Sequence, residues 1–193
     1  MRFKNKEEVR KYVYDILVKN NVCLFPCYGH IPNFKGVEET IKKIISLDVF
    51  EKAKRIFISP DTPQRKILDF VKDKEIYMAS PRLKYGFLRV KRGKNLKEIL
   101  KNSERVDIPF VDIAIVGSVA VDLKGNRIGK GGGYGDREIK ILKSRNKNLK
   151  VITNIHDLQL FEDFSYLMEE HDEKVDIIVT PEKIIYVENN PII

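Results

Sequence analysis

A three-layer α/β fold, with a mainly parallel sheet covered by helices on both faces, follows from three features of this 193-residue chain. Short apolar runs of strand character alternate with stretches of helical periodicity, which implies right-handed crossovers and parallel pairing. The 42% apolar content is enough to close a substantial core at a length near that of one domain. No internal repeat, low-complexity tract or linker interrupts the chain, so residues 1–193 are read as a single domain.

The elements follow in order. In NKEEVRKYVYDILVKN (5–20), Val9, Tyr12, Val13, Ile16 and Leu17 recur at helical spacing, Asn5 is placed to cap the helix, and Glu7 and Glu8 suit its first turn. After the turn-forming IPNFKG, the stretch GVEETIKKIISL (36–47) predicts a second helix. RIFIS (55–59), EIYMA (75–79), DIAIVG (112–117), KVITNI (150–155), VDIIVT (175–180) and IIYV (184–187) read as short apolar strands. Between them TPQRKILDFVKD (62–73), GDREIKILKSRN (135–146) and FEDFSYLMEEH (161–171) are expected as helices.

Charge and cysteine content narrow the class. With 36 Lys plus Arg against 28 Asp plus Glu the formal net charge is +8, so either a polyanion is bound or the lysines serve solubility. Two cysteines, Cys23 and Cys27, support neither a disulfide framework nor a four-thiolate zinc site, and a reducing cytoplasm is expected. The opening MRFKNKEEVRKYVYDIL is charged and does not read as a secretory signal, and no apolar run approaches the ~20 residues of a membrane span. His30 is either a general base or a loop histidine in a structural hydrogen bond. Cys23, Cys27, His30 and His156 match no zinc spacing, while His156 and Asp157 suit a cap or turn.

GNRIGKGGGYGDREI (125–139) is the stretch that points to chemistry. It lies on the strand-to-helix side of the predicted sheet, where open α/β folds bind ligands. Gly129, Gly131, Gly132 and Gly133 let backbone amides approach an anion, and Arg127, Lys130 and Arg137 add full charges at the start of a helix. Lys130 is followed by Gly131, which departs from a Walker A loop, and Tyr134 stands where a dinucleotide fingerprint needs glycine. The alternative is a flexible, lysine-rich surface turn. Asp136 favours the phosphate reading, because magnesium on a nucleotide takes one or two carboxylates besides phosphate oxygens.

The string Arg127, Gly129, Gly131, Gly133, Tyr134, Asp136, Arg137 resembles the RxGxGxGYxDR signature of the 5-formyltetrahydrofolate cyclo-ligase (methenyltetrahydrofolate synthetase) family. KEEVR resembles its Lys-x-x-x-Arg pair and HDEKVDIIVTP its C-terminal His-Asp-x-x-Val-Asp segment. HIPNFKG and DIAIVGSVAV resemble the methenyltetrahydrofolate synthase domain-containing branch. The resemblance spans almost the whole chain. It implies the sugar-phosphate isomerase/CoA-transferase-like fold, and an ATP- and Mg²⁺-dependent reaction in which the formyl oxygen of 5-formyltetrahydrofolate is phosphorylated and N10 then closes the 5,10-methenyl ring. It implies Lys6, Arg10, Arg127 and the loop Gly129, Lys130, Gly131, Gly132, Gly133, Tyr134, Gly135 as the ATP site. Within that set, Lys6, Arg127 and Lys130 are the catalytic cations. Asp136 and Asp172 are the implied metal ligands. Without the family Lys6 and Arg10 read as a solvated pair, Asp172 as a turn aspartate, His171 as structural, and Tyr134 as either a stacking or a packing residue.

The chain also departs from that pattern. The family's GYYD has a second tyrosine where this chain has Gly135, and the segment expected to be acidic near the folate reads YGHIPNFKG, with Asn33 and Lys35. SPRLKYGF adds Arg82 and Lys84. Tyr134, Lys35 and Arg82 are therefore the expected contacts to a reduced folate or pterin, the last two suiting an anionic tail. The competing reading is a nucleotide- or RNA-binding homologue that has lost the chemistry, suggested by the alternating cations and aromatics of PRLKYGFLRVKRGKNLK. RNA is the disfavoured partner of the two, no membrane is expected, and the sequence assigns no oligomeric state.

Overall fold

The computed structural model describes residues 2–188. Helix α1 (Lys6–Lys19) leads to an antiparallel pair, β1 (Cys23–Leu24) and β2 (Asn33–Phe34), and then to α2 (Val37–Ser46) and α3 (Asp48–Lys52). Next come β3 (Arg55–Ile58), α4 (Thr62–Arg65), β4 (Glu75–Ala79), β5 (Phe87–Arg89), α5 (Leu96–Asn102), β6 (Glu104–Val106) and β7 (Ile113–Val116). The remainder is β8 (Ala120–Asp122), β9 (Arg127–Ile128), α6 (Tyr134–Arg145), β10 (Lys150–Asn154), β11 (Leu160–Phe161), β12 (Ile177–Val179) and β13 (Ile184–Tyr186).

The main sheet runs β13-β12-β10-β7-β3-β4-β5-β6. Its centre, from β12 to β4, is parallel, and both edges are antiparallel. Successive strand residues face opposite layers. Ile56, Ile58, Ile113 and Ile115 pack with Ile41 and Ile44 of α2, Phe50 of α3 and Ile99 of α5. Phe57, Ala114 and Val116 pack with Ile139 and Leu142 of α6. A small sheet, β11-β8-β9, receives the apolar stripe of α1: Val9, Val13 and Leu17 meet Val119, Ala120 and Ile128. The helix–sheet–helix layering and all six expected strands are present.

Four expectations change. FEDFSYLMEEH is not an α-helix: β11 takes its start, and only Ser165–Leu167 turns, as a 3₁₀ segment. Side chains capture the amides a helix would need, since Asp122 Oδ2 accepts from Phe164 N and Asp163 Oδ1 from Ser165 N. TPQRKILDFVKD forms only the short α4 and a 3₁₀ turn, Lys66–Phe70. The antiparallel edge β5–β6 and helix α5 lie where no element was expected. Cys23 and Cys27, read from the sequence as too few for a disulfide framework, are joined as a disulfide. Among the described residues no helix is long and apolar enough to cross a membrane.

Candidate active site

The carboxyl ends of parallel strands in an open α/β sheet form a crevice because the connections to the next helices diverge there. Here that crevice is a cavity of about 680 Å³. β3 delivers Ser59, Pro60 and Asp61 to it, β4 delivers Ser80, Pro81 and Arg82, and the loop 129–133 with the start of α6 forms the opposite wall. Gly131 (φ +121°) and Gly133 (φ +73°) occupy the left-handed region, and Gly133 is the N-cap of α6 without a side-chain cap. The first-turn amides of this twelve-residue helix thus open onto the cavity beside the cations.

The cap of α1 is Asn5, whose side chain accepts from Glu8 N at 2.9 Å. That start aims Lys6 and Arg10, one turn apart, at the loop. Arg10 Nε donates to Gly129 O at 2.7 Å and Arg10 Nη1 meets Glu7 Oε2 at 2.8 Å. Lys6 Nζ lies 2.6 Å from Asp172 Oδ2. Arg127 is buried at 6% exposure, donates Nε–H to Gly117 O at 2.9 Å and sets Nη1 3.6 Å from Asp136 Oδ1. Lys130 is exposed at the mouth. Tyr134 begins α6, with the Arg137 guanidinium 5.2 Å from its ring centre, and also lines the cavity.

The carboxylates divide by their partners. Asp136 Oδ1 accepts from Glu173 N at 3.0 Å; burial raises its pKa, against the pull of Arg127. Burial acts upward on Asp172 too, but Lys6 and the Glu169 amide outweigh it and hold that group below its usual range. Asp61 and Glu138 also line the cavity, and among the described residues neither side chain accepts a protein hydrogen bond. Burial raises Asp61, opposed by Lys130 and Arg127, and pushes Glu138 to about 7, with Arg127 opposing and Asp61 adding to the rise.

Most of the sequence-predicted site converges: Lys6, Arg10, Arg127, the loop 129–135, Asp136, Asp172 and Arg82 all line the one cavity, as does His171. Lys35 does not; it is exposed beyond β2 and is not among the lining residues. His30 is exposed, and its carbonyl accepts the Tyr14 hydroxyl at 2.7 Å. His156 caps the 3₁₀ turn Asp157–Gln159. In the basic 81–97 stretch, Arg89 is paired to Glu75 and Lys91 to Glu104.

Sequence reasoning missed Asp61, Gln64 and Glu138. Asp61, after β3, places an acidic side chain in the cavity, to which YGHIPNFKG contributes only Ile31. Gln64 is fully buried; its Nε2 donates to Asn154 Oδ1 at 2.7 Å, and among the described residues its Oε1 has no donor. Gln64 Oε1 and Asp61 Oδ2 each lie 2.9 Å from the point that a Cβ on Gly117 would occupy. The two acceptors therefore converge beside Gly117, with Asp61 lining the cavity and Gln64 buried behind it.

The 5-formyltetrahydrofolate cyclo-ligase family profile matches residues 3–181. The methenyltetrahydrofolate synthase domain-containing protein of Homo sapiens is 34% identical over 203 residues, covering 94% of this chain and 53% of that protein. The chain thus spans about half the length of the curated relatives it matches. Among solved structures, the 5,10-methenyltetrahydrofolate synthetase of Aquifex aeolicus superposes with a TM-score of 0.70 at 22% identity, covering 97% of this chain and 95% of that one. The Mycoplasma pneumoniae 5,10-methenyltetrahydrofolate synthetase gives 0.62 at 15%, over 91% and 98%. These two carry the fold, while the profile and the human relative carry the lineage: the chain belongs to the 5-formyltetrahydrofolate cyclo-ligase family.

Proposed function

We propose that this domain uses MgATP to convert 5-formyltetrahydrofolate, or a related reduced pterin, to its 5,10-methenyl form. The observation that carries the reading is the convergence, in one cavity, of an uncapped helix start, a glycine loop, the cations Lys6, Arg10, Arg127 and Lys130, and the carboxylates of Asp136 and Asp172. Phosphoryl transfer asks chiefly for positioning and charge neutralisation, which this set supplies. The loop amides and Arg10 bind the triphosphate, while Lys6, Arg127 and Lys130 offset charge as the γ-phosphoryl group passes to the formyl oxygen. N10 then attacks the activated carbon, and phosphate departs with the electrons of the C–O bond.

Asp136 and Asp172 fit magnesium. Asp136 Oδ2 and Asp172 Oδ1 stay outside the hydrogen bonds that hold their partner oxygens, and one or two carboxylates suffice for this ion. When bound, magnesium supplies positive charge to the phosphate oxygens. The two oxygens of the Asp61 carboxylate match the N3–H and 2-amino donors of a pterin edge, and Tyr134 and Arg82 border the space for the rest of that substrate. Lys35, away from the cavity, has no part in this reading.

Purified protein given ATP, Mg²⁺ and 5-formyltetrahydrofolate is expected to develop methenyl absorbance with stoichiometric phosphate release. Absence of both, in protein that binds MgATP, contradicts the folate assignment.

A further inference from the structure

The two carboxylates read as magnesium ligands stand on unlike supports. Asp136 belongs to the first turn of α6. Asp172 belongs to 169–174, an irregular segment between the 3₁₀ turn Ser165–Leu167 and β12. Ligands on separate elements serve one ion only where something fixes their spacing. Within the segment the Glu169 amide donates to Asp172 Oδ2 at 2.8 Å and Asp172 N to Glu169 O at 3.1 Å, which shapes the turn without fastening it. Its far end is fastened next door, where Val175 N donates to Gly125 O at 2.9 Å. Among the described residues, three hydrogen bonds or ion pairs tie 169–174 itself to other elements: Lys6 Nζ to Asp172 Oδ2 at 2.6 Å, Glu173 N to Asp136 Oδ1 at 3.0 Å, and Lys143 Nζ to Glu173 Oε2 at 3.1 Å.

The first two ties are made by Lys6 and Asp136, which the proposed reaction also asks to meet phosphate and metal. The third is independent of the site, since neither Lys143 nor Glu173 lines the cavity. Lys143 follows Asp136 by seven residues, so it stands on the same face of α6, about 10 Å farther along the axis. Glu173 follows Asp172 directly. The ion pair therefore spans the same two elements as the two carboxylates, outside the cavity, with its side chains 34% and 21% exposed. We infer that Lys143 is a positioning residue: through Glu173 it holds 169–174 against α6, and so sets the separation of Asp136 and Asp172 and the affinity for magnesium-bound nucleotide. The inference rests on the reading of those two carboxylates as the metal site. Lys143 acts here without touching nucleotide or ion.

Calorimetric titration with ATP, in Mg²⁺ and in EDTA, tests the role in the wild type, Lys143→Met, Glu173→Gln, the double variant and Lys143→Arg. The quantity read is the gain in ATP affinity that Mg²⁺ confers. Glu173→Gln keeps the backbone amide that Asp136 accepts, so each single variant removes the ion pair alone. Each is expected to cut the gain by a factor of roughly two to five, the scale of one partly exposed ion pair, with affinity for metal-free ATP unchanged. The double variant should fall no further than either single one, and Lys143→Arg should keep the gain. Three results would each overturn the positioning role yet leave the proposed function standing. These are an undiminished gain in both single variants, an equal loss of metal-free ATP binding, and shifts of opposite sign in the two, the mark of a charge effect. A wild type that gains nothing from Mg²⁺ overturns the role together with the metal reading of Asp136 and Asp172, and one that binds no ATP overturns the proposed function as well.

Discussion

Arg127 sits under the start of α6 because nothing else occupies that volume: a Cβ on Gly135 would fall 2.7 Å from its Nη2. Gly135→Ala is expected to push Arg127 off the Gly117 carbonyl, costing about 1–3 kcal/mol as an overpacked site does. Calorimetric melting would show the loss, and an unchanged midpoint would contradict the packing described. Glu138 makes a second residue-level prediction. Its folded pKa, raised to about 7 from 4.5, means that the folded chain holds the proton more tightly than the unfolded one. Its contribution to stability is thus full below pH ~4.5 and lost as pH rises through ~7. Glu138→Gln should melt higher than wild type at pH 8, by an amount on the order of 1–3 kcal/mol, and show no difference at pH 4.

Helix α1 carries Lys6 and Arg10, so its first turn is part of the site. Asn5→Ala removes the bond to Glu8 N and is expected to cost about 1 kcal/mol and to weaken nucleotide binding, since both cations ride on the frayed turn. Thermal melts with and without MgATP would read both effects. This element was legible in the sequence because everything that makes it is local: a cap, two acids and a stripe of Val9, Val13 and Leu17. The strands of the parallel centre were legible for the same reason. The stretch 161–171 was not, because what prevents a helix there is Asp122, some forty residues upstream, reaching the Phe164 amide. The edge strands β5 and β6 were hidden by their brevity and charge; they exist through the pairing of β5 to β4 and of β6 to β5, not through their own pattern. Within the site, the glycine loop announced itself by composition. Asp61 and Glu138 stand far apart in sequence, and meet only where the end of β3 and α6 come together.

At the scale of the whole molecule the formal charge of +8 is not spread evenly in its consequences. Outer cations such as Arg89 and Lys91 are paired, to Glu75 of β4 and Glu104 of β6, whereas Lys6, Arg10, Arg127 and Lys130 gather at one cavity at the carboxyl ends of the strands. Focused there, the field suits a polyphosphate bound at the α6 start. Thermal stability measured with MgATP reads this directly, because a ligand at 100 times its Kd adds about 2.7 kcal/mol to the native state, or roughly 5–10 °C for a chain of this size. The wild type is expected to gain that shift, and Lys130→Ala and Asp136→Asn, folded normally, to lose most of it. A wild-type melting temperature that saturating MgATP leaves unmoved would contradict the phosphate-binding role of the glycine loop.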